Sequence, residues 1–521
     1  MLGVPAVELD KRIAFLKAIG VDRLRVSVFW NNVAPAKFSQ TKPTFPAPGP
    51  GFPGSYPRGA WEPYDNIAPS AKRHGLDLLF TITGPAPAWA TPGSHGREGL
   101  FRPDPRDFQE FATAVGLRYS GAYPVNDRFT TQSEGRQPLR IGGLQIGANQ
   151  QPQQPAPRLP RVDGWSIWNE PNFPTWLSPI WLANRPKRPK DMVAAAPHHY
   201  RKLLDAAWTA LEATGHENDL ILIGETAPRG AKKPSQLGNA MAPAEFAREL
   251  YCLKENFRAY SGRAARARDC PVDRGQRRSF RQGNPALFRA RGYAHHPYSL
   301  DRRRWRKPTW RHPMKDNVPI GNLRCLISTL DRATFYWGSQ REPMSMWITE
   351  YGYQTTPPDP IAGVAPARQG PLTSWGEYMA YRNRRVASVA QFLYVDDKPV
   401  PGYSGRHPQR WITWQSGLFA MNGAAKPFAA DYLRPIHTAQ RGRSVRIFGG
   451  YRPAPTGAAV AARLEYSRGG GQWQTLRNVT VTNPRGYVST RVRVPGAGFV
   501  RIMWRDPASG ASMPSRAMRV R

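Results

Sequence analysis

Two spacings of apolar residues alternate along most of the chain. Over residues 8–19, Leu9, Ile13, Phe15, Leu16 and Ile19 recur at close to helical spacing, and Gly20 ends the run. The next stretch, Arg23–Trp30, reads as a buried strand. The same exchange repeats. Helical patterns are expected over 64–74, 104–119, 196–214, 243–254, 321–333 and 376–388. Strands are expected at Leu76–Thr83, Val162–Trp168, Leu220–Gly224, Gly292–His295, Met344–Thr349 and Val389–Tyr394. Alternation of this kind implies a parallel sheet covered by helices, here a (β/α)8 TIM barrel. Beyond about Gln440 the texture changes. Ser444–Phe448, Ala459–Tyr466, Trp473–Val479, Tyr487–Val494 and Gly498–Trp504 are short alternating runs split by Gly, Pro and Asn, the pattern of a small all-β sandwich. The expected division is residues 1–438 for the barrel and 443–521 for the sandwich.

The barrel count falls short by one. Seven strand candidates precede the all-β region where eight close a barrel, and residues 1–7 leave room for a stub only. The count therefore leads us to expect that the first barrel strand lies upstream of this chain; the alternative is an unorthodox strand among those first residues. From about Gly121 to Pro160 the chain is rich in Gln, Pro, Gly and Asn with little periodicity, and it reads as an insertion loop.

Composition alters this picture in three places. A length of 521 residues suits a barrel with insertions and one smaller domain. The formal charge of +37 favours polyanions, yet the basic residues form neither a stripe nor a nucleic-acid motif, so no specific nucleic-acid partner is expected. A solvated, arginine-biased surface and electrostatic attachment to an anionic cell envelope both remain open. Of the three cysteines, Cys252 and Cys270 bracket a short basic stretch, and a disulfide there would contribute roughly 3 kcal/mol. No metal-ligand spacing is present, so neither a metal nor another cofactor is expected. No apolar run is long enough to span a bilayer, and Met1–Glu8 lacks the regions of a signal peptide.

The chemistry concentrates at two strand ends. Trp168-Asn169-Glu170-Pro171-Asn172 follows one strand directly, and Glu350 ends another before Tyr351-Gly352-Tyr353. Residues at the C-terminal ends of barrel strands face the active site. Two carboxylates there meet the needs of glycoside hydrolysis, in which one protonates the leaving oxygen and the other attacks the anomeric carbon. Asn-Glu-Pro alone fits a turn equally well; the pair is what gives it meaning. Glu225 also ends a strand and reads as a structural or outer-subsite carboxylate. Trp30, Trp89 and Trp176 suit either sugar stacking or the core.

Asn-Glu-Pro after one strand and Thr-Glu-Tyr-Gly after a later one resemble clan A glycoside hydrolases, the cellulase-like family 5 and β-xylosidase-like family 39 in particular. The resemblance covers about residues 8–435. It implies Glu170 as acid/base and Glu350 as nucleophile of a retaining enzyme acting on an oligo- or polysaccharide. It implies Asn169 at the substrate 2-hydroxyl, Arg25 near the nucleophile, and His296 and Tyr298 of His295-His296-Pro297-Tyr298 at the sugar and the nucleophile. Trp414 would floor the sugar site. Charge from Arg25 and a hydrogen bond from Tyr298 would keep Glu350 anionic. The implied location is extracellular or at the cell envelope. An inactive carbohydrate-binding barrel and a basic polyanion-binding surface protein are the competing readings. The all-β region, with Trp473 and Trp504, reads as a packing domain, with a carbohydrate-binding module as the alternative.

Overall fold

A computed structural model gives the fold and side-chain positions. It describes residues 2–94, 96–124, 140–141, 144–145, 157–183, 192–231, 238–301, 304–339, 341–454 and 459–521. Most of the expected insertion loop at 121–160 lies outside the described residues.

Seven strands form one parallel sheet: β1 (Arg23–Phe29), β2 (Asp77–Thr83), β3 (Gly164–Ile167), β4 (Leu220–Thr226), β5 (Gly292–His295), β6 (Ser345–Tyr351) and β7 (Val386–Gln391), hydrogen-bonded in chain order. The main crossovers run through α1 (Ala6–Ala18), α2 (Glu62–Arg73), α3 (Pro105–Arg118), α4 (Ala196–Ala213), α5 (Pro243–Leu250), α6 (Leu323–Tyr336) and α7 (Pro366–Tyr381). All but the first residue of β2 and β4 and every residue of β3 and β5 lie in the interior or next to it, whereas β1 and β7 alternate with half-exposed positions. Central strands covered on both faces read as continuous apolar runs, which is why the sequence located them.

The sheet curls strongly. Five strand spacings of about 4.8 Å would put β6 roughly 24 Å from β1 in a flat sheet. Arg25 on β1 instead contacts Glu350 on β6 at 2.8 Å. Among the described residues no strand pairs with the free edges of β1 and β7. That side is closed by side chains: Leu16 and Ile19 of α1 pack with Leu418 and Phe428, and Phe15 meets Tyr394 and Phe419. The barrel-like architecture follows the expected one, with seven strands where eight complete the closed form.

One helix and strand pair departs from expectation. The pattern placed a helix at 376–388 and a strand at 389–394; α7 instead begins at Pro366, and β7 ends at Gln391. Pro371 and Gly370 read as breakers. Pro371 removes the donor that would satisfy the Ala367 carbonyl, and that carbonyl accepts from Arg516 at 3.3 Å. Gly370 and Gly376 let α7 approach its neighbours closely, since a Cβ would fall 1.8 Å from Asp431 Oδ2 and 2.3 Å from Tyr351 Oη respectively. Long-range packing thus overrides local propensity.

After α8 (Pro427–Leu433) come two antiparallel sheets. The first joins β8 (Ile436–Arg441), β9 (Ser444–Gly450) and β12 (Tyr487–Arg493); the second joins β10 (Val460–Ser467), β11 (Gln474–Val481), β13 (Gly498–Arg505), β14 (Ser512–Pro514) and β15 (Met518–Val520). They share a core that includes Ile447, Leu464, Val492, Ile502 and Trp504. The polar strand β8 was not read from the sequence. Arg452 and Tyr487 both contact Glu377 of α7, and Arg516 pairs with Asp431 of α8, so part-buried polar contacts fasten these sheets to the helices. Trp504 is core, and Trp473 lies beneath the Arg501 guanidinium at 4.0 Å. No described helix is long and apolar enough to cross a membrane.

Cys252 and Cys270 form a buried disulfide with Cα atoms 5.6 Å apart. Replacing both by Ala is expected to destabilise the fold by about 3 kcal/mol, given the 18-residue separation. Chemical denaturation of variant and wild type under oxidising conditions checks this; equal midpoints would contradict it.

Candidate active site

The C-terminal ends of β3, β4, β5 and β6 converge on one cluster, whose centre is Arg25 from the body of β1. Its Nη1 donates to Glu350 Oε1 at 2.8 Å and its Nη2 to Asn169 Oδ1 at 2.7 Å. Its Nε donates to Glu225 Oε1 at 3.1 Å, and Nη2 also reaches Glu225 Oε2. The planar fork of a guanidinium suits such a multi-point role, which an ammonium would not fill. Arginine has donors only, so the Asn169 oxygen must face it and the Asn169 amide nitrogen turns the other way.

The two carboxylates of interest meet through His296. Its Nδ1 lies 2.9 Å from Glu170 Oε1 and 3.5 Å from Glu350 Oε2. One oxygen of Glu170, one oxygen of Glu350 and one His296 ring nitrogen all lie within 4.8 Å of one another. The Tyr298 hydroxyl donates to Glu350 Oε2 at 2.9 Å. Glu350 therefore receives Arg25 on one oxygen and Tyr298 on the other. A cation bridging Glu170, His296 and Glu350 would meet the Arg25 charge at once, so this trio is a poor metal site. A second trio, His198 with Cys252 and Cys270, has its sulfurs committed to the disulfide.

Backbone strain accompanies the cluster. Trp168, Glu170 and Glu225 adopt φ of +64°, +41° and +43°, a region that costs a non-glycine residue about 1–3 kcal/mol. These backbones are pinned: Glu170 N–H donates to the Glu225 carbonyl at 3.0 Å, Asn169 N–H to Thr83 Oγ1 at 3.0 Å, and His296 N–H to the Thr226 carbonyl at 3.0 Å. Gly224, at φ +101°, abuts the Tyr293 ring, which a Cβ would meet at 2.5 Å.

Burial and charge compete here. Burial raises the Glu350 carboxyl, while His296 and Arg25 pull it down; with Glu170 and Glu225 nearby, the net shift is upward. Arg25 and Tyr298 thus make the contacts the sequence reading gave them, but they do not hold Glu350 below its ordinary range. Burial opposes a charged His296, yet Glu350, Glu170 and Glu225 outweigh it and raise the imidazole. Burial, then the Glu350 charge, lift the Tyr298 phenol far up, so it stays a donor. Burial lowers Arg25, but Glu225 and Glu350 reverse that effect and raise it.

All seven candidate residues come together. His296 is fully buried and touches carboxylates rather than open space. Trp414 stacks on Tyr298 with centroids 4.5 Å apart and stands edge-on to Phe392. Trp30 and Trp89 belong to the core, packed edge-to-face, while half-buried Trp176 stacks on Phe29. The reading undervalued two residues. Glu225 is completely buried and holds Arg25 with two oxygens. Trp305, not singled out from the sequence, packs against Tyr298, Tyr353 and Trp414. Its lone aromatic ring among arginines was the available signal.

No protein-family model matches the chain, and no curated protein matches it. Solved structures with a similar fold include a glucosidase from Croceicoccus marinus, at 11% identity and TM-score 0.43, over 92% of this chain and 89% of that one. A family 1 β-glucosidase from Thermotoga maritima aligns at 11% identity and TM-score 0.44 over 81% and 84%. A β-glucuronidase from Bacteroides uniformis aligns at 8% identity and TM-score 0.38; the chain is covered to 99% but spans only 44% of that protein.

The upward shift of Glu350 carries a pH prediction. A group that must be ionised loses competence as pH falls through its pKa, so the acid limb of kcat/KM should lie above the ordinary carboxylate value. Tyr298→Phe removes a bond to the charged form and should move that limb further up. It should also lower kcat/KM roughly 10–100-fold, the equivalent of one bond to a charged group. A pH profile on an aryl glycoside checks both, and an unmoved limb would contradict the assignment.

Proposed function

We propose that this protein is a retaining glycoside hydrolase. The observation that carries the reading is the approach of the Glu170 and Glu350 oxygens to within 4.8 Å, from the ends of two parallel strands. Retaining enzymes hold their carboxyl groups about 5–5.5 Å apart, and inverting enzymes about 6.5–9.5 Å to admit a water. The 4.8 Å is a nearest-oxygen approach rather than a separation of whole groups, and it accords with the closer, retaining arrangement.

In the first step a Glu350 oxygen attacks the anomeric carbon. The bond from that carbon to the leaving oxygen breaks, and the Glu170 proton passes to the leaving oxygen. In the second step Glu170, now a carboxylate, takes a proton from water. The hydroxyl oxygen bonds to the anomeric carbon and releases Glu350. Arg25 and Tyr298 offset the desolvation of the Glu350 charge, each on its own oxygen. His296, raised toward its charged form by three carboxylates, donates to Glu170 and supports it as a carboxylate between the steps. The Asn169 amide nitrogen, turned from Arg25, is the donor for the 2-hydroxyl. Trp414 gives an aromatic face beside Tyr298. Glu225 orients Arg25 and takes no part in proton transfer. The C-terminal sheets serve as a packing domain for α7 and α8.

Proton NMR of the first product released from an aryl glycoside tests the stereochemistry. Retention of anomeric configuration is expected, and inversion would overturn the reading. Glu350→Ala should cut turnover by several orders of magnitude with the fold intact. Glu170→Ala should slow substrates with poor leaving groups far more than those with good ones, because only the former need the proton. Equal losses on both classes would contradict the acid role.

A further inference from the structure

A cavity of about 1200 Å3 lies among loops that follow the strands of the candidate site. This exceeds the ~300–1,000 Å3 of most small-ligand pockets and gives room for more than one sugar ring. Its walls come from the segments that follow the catalytic strands. Phe173, whose N–H bonds the Glu170 carbonyl at 2.8 Å, lies on one side. Arg229 and Gly230 come just after β4 and Glu225. Arg306, whose N–H bonds the Ser299 carbonyl at 2.7 Å next to Tyr298, lies on another. The cavity thus sits among the loops that continue from Glu170, Glu225 and Tyr298.

The wall is strongly biased in charge. Among the described lining residues, three guanidiniums (Arg229, Arg304 and Arg306) accompany one carboxylate, Asp301. Asp301 is already engaged by Arg306 Nη2 at 2.8 Å. Arg306 Nε is buried without a hydrogen-bond partner. Arg304 is exposed and makes no ion pair among the described residues. Burial pushes Arg229 down, against the pull of Asp301. Guanidiniums gathered around one cavity, with the partnerless Nε of Arg306 among them, suit a planar anion that accepts two bonds at once. Trp310, 5.8 Å beneath the Arg306 guanidinium, adds an aromatic face of the kind that takes a sugar ring.

We propose that this cavity is a leaving-group subsite for an acidic sugar, a unit bearing a carboxylate or a sulfate ester. The inference rests on the glycoside hydrolase reading, and deepens it: the substrate is an anionic glycan, cleaved on the non-reducing side of an acidic residue.

The test uses the full chain carrying Glu350→Gln, which leaves substrate uncleaved, on an array of matched neutral, uronate-containing and sulfated oligosaccharides. The salt is about 0.3 M, where free surface charges are screened within roughly 6 Å. Acidic glycans should be retained over their neutral counterparts, and the uronate and sulfate spots tell which anion is taken. Adding Arg304→Gln and Arg306→Gln should weaken that retention about tenfold or more. Arg304→Gln alone, at an exposed position, should give part of the loss without risk to folding. A charge-matched control, Arg277→Gln with Arg278→Gln in a separate arginine-lined recess, should bind like the parent. Retention of neutral glycans only, equal retention by the cavity and control variants, or no cavity-dependent retention would overturn the inference. Wild-type turnover of aryl glycosides is measured in parallel. Turnover with a failed array removes the acidic subsite alone, whereas no turnover of any aryl glycoside removes the hydrolase reading.

Discussion

The contact of Arg25 with Glu350 spans five strand spacings of the sheet and can exist only because the sheet curls. Everything at the candidate site depends on that geometry. A single guanidinium on the edge strand β1 meets residues that follow β3 and lie on β4 and β6, and so ties the first strand to the sixth. The side chains of α1, of 418–419 and of α8 hold the same edge from outside, where no backbone ladder does. Structure and chemistry are coupled here, because the contacts of Arg25 with Glu225 and Glu350 need the curled sheet.

Glu225 and Glu350 are buried against one guanidinium, with half-buried Glu170 beside them, and the interior tolerates such a cluster only with further donors. Tyr298 and His296 supply them. The upward shifts of both Glu350 and His296 express this competition between burial and neighbouring charge. Glu225 is fully buried and bound through both oxygens, in position to fix Arg25. The left-handed backbones at Trp168, Glu170 and Glu225 sit where side chains must be aimed rather than merely packed.

The sheet was legible because β2 to β6 are apolar on both faces, and the strand ends then singled out Glu170 and Glu350 without any three-dimensional information. Arg25, His296 and Tyr298 came from the resemblance, and their shared contacts were invisible to spacing. The failures have physical causes. The α7 boundary was misjudged because Pro371 and Gly370 serve contacts with Arg516 and Asp431, far away in sequence. The half-exposed, polar β8 gave no alternating signal. Arg304 and Arg306 read as solvated charge, because a recess formed by loops after different strands leaves no trace in a linear pattern.

The central claim is that this cluster sorts three neighbouring carboxylates into distinct roles, with Glu350 as the one that bonds to the sugar. Peptide mapping by mass spectrometry after incubation with activated 2-fluoro glycosides of gluco, xylo, manno and uronic configuration tests it directly. The account predicts a glycosyl adduct confined to the peptide that contains Glu350. An adduct on the peptide of Glu170 or of Glu225, or no adduct from folded protein that hydrolyses aryl glycosides, would contradict it.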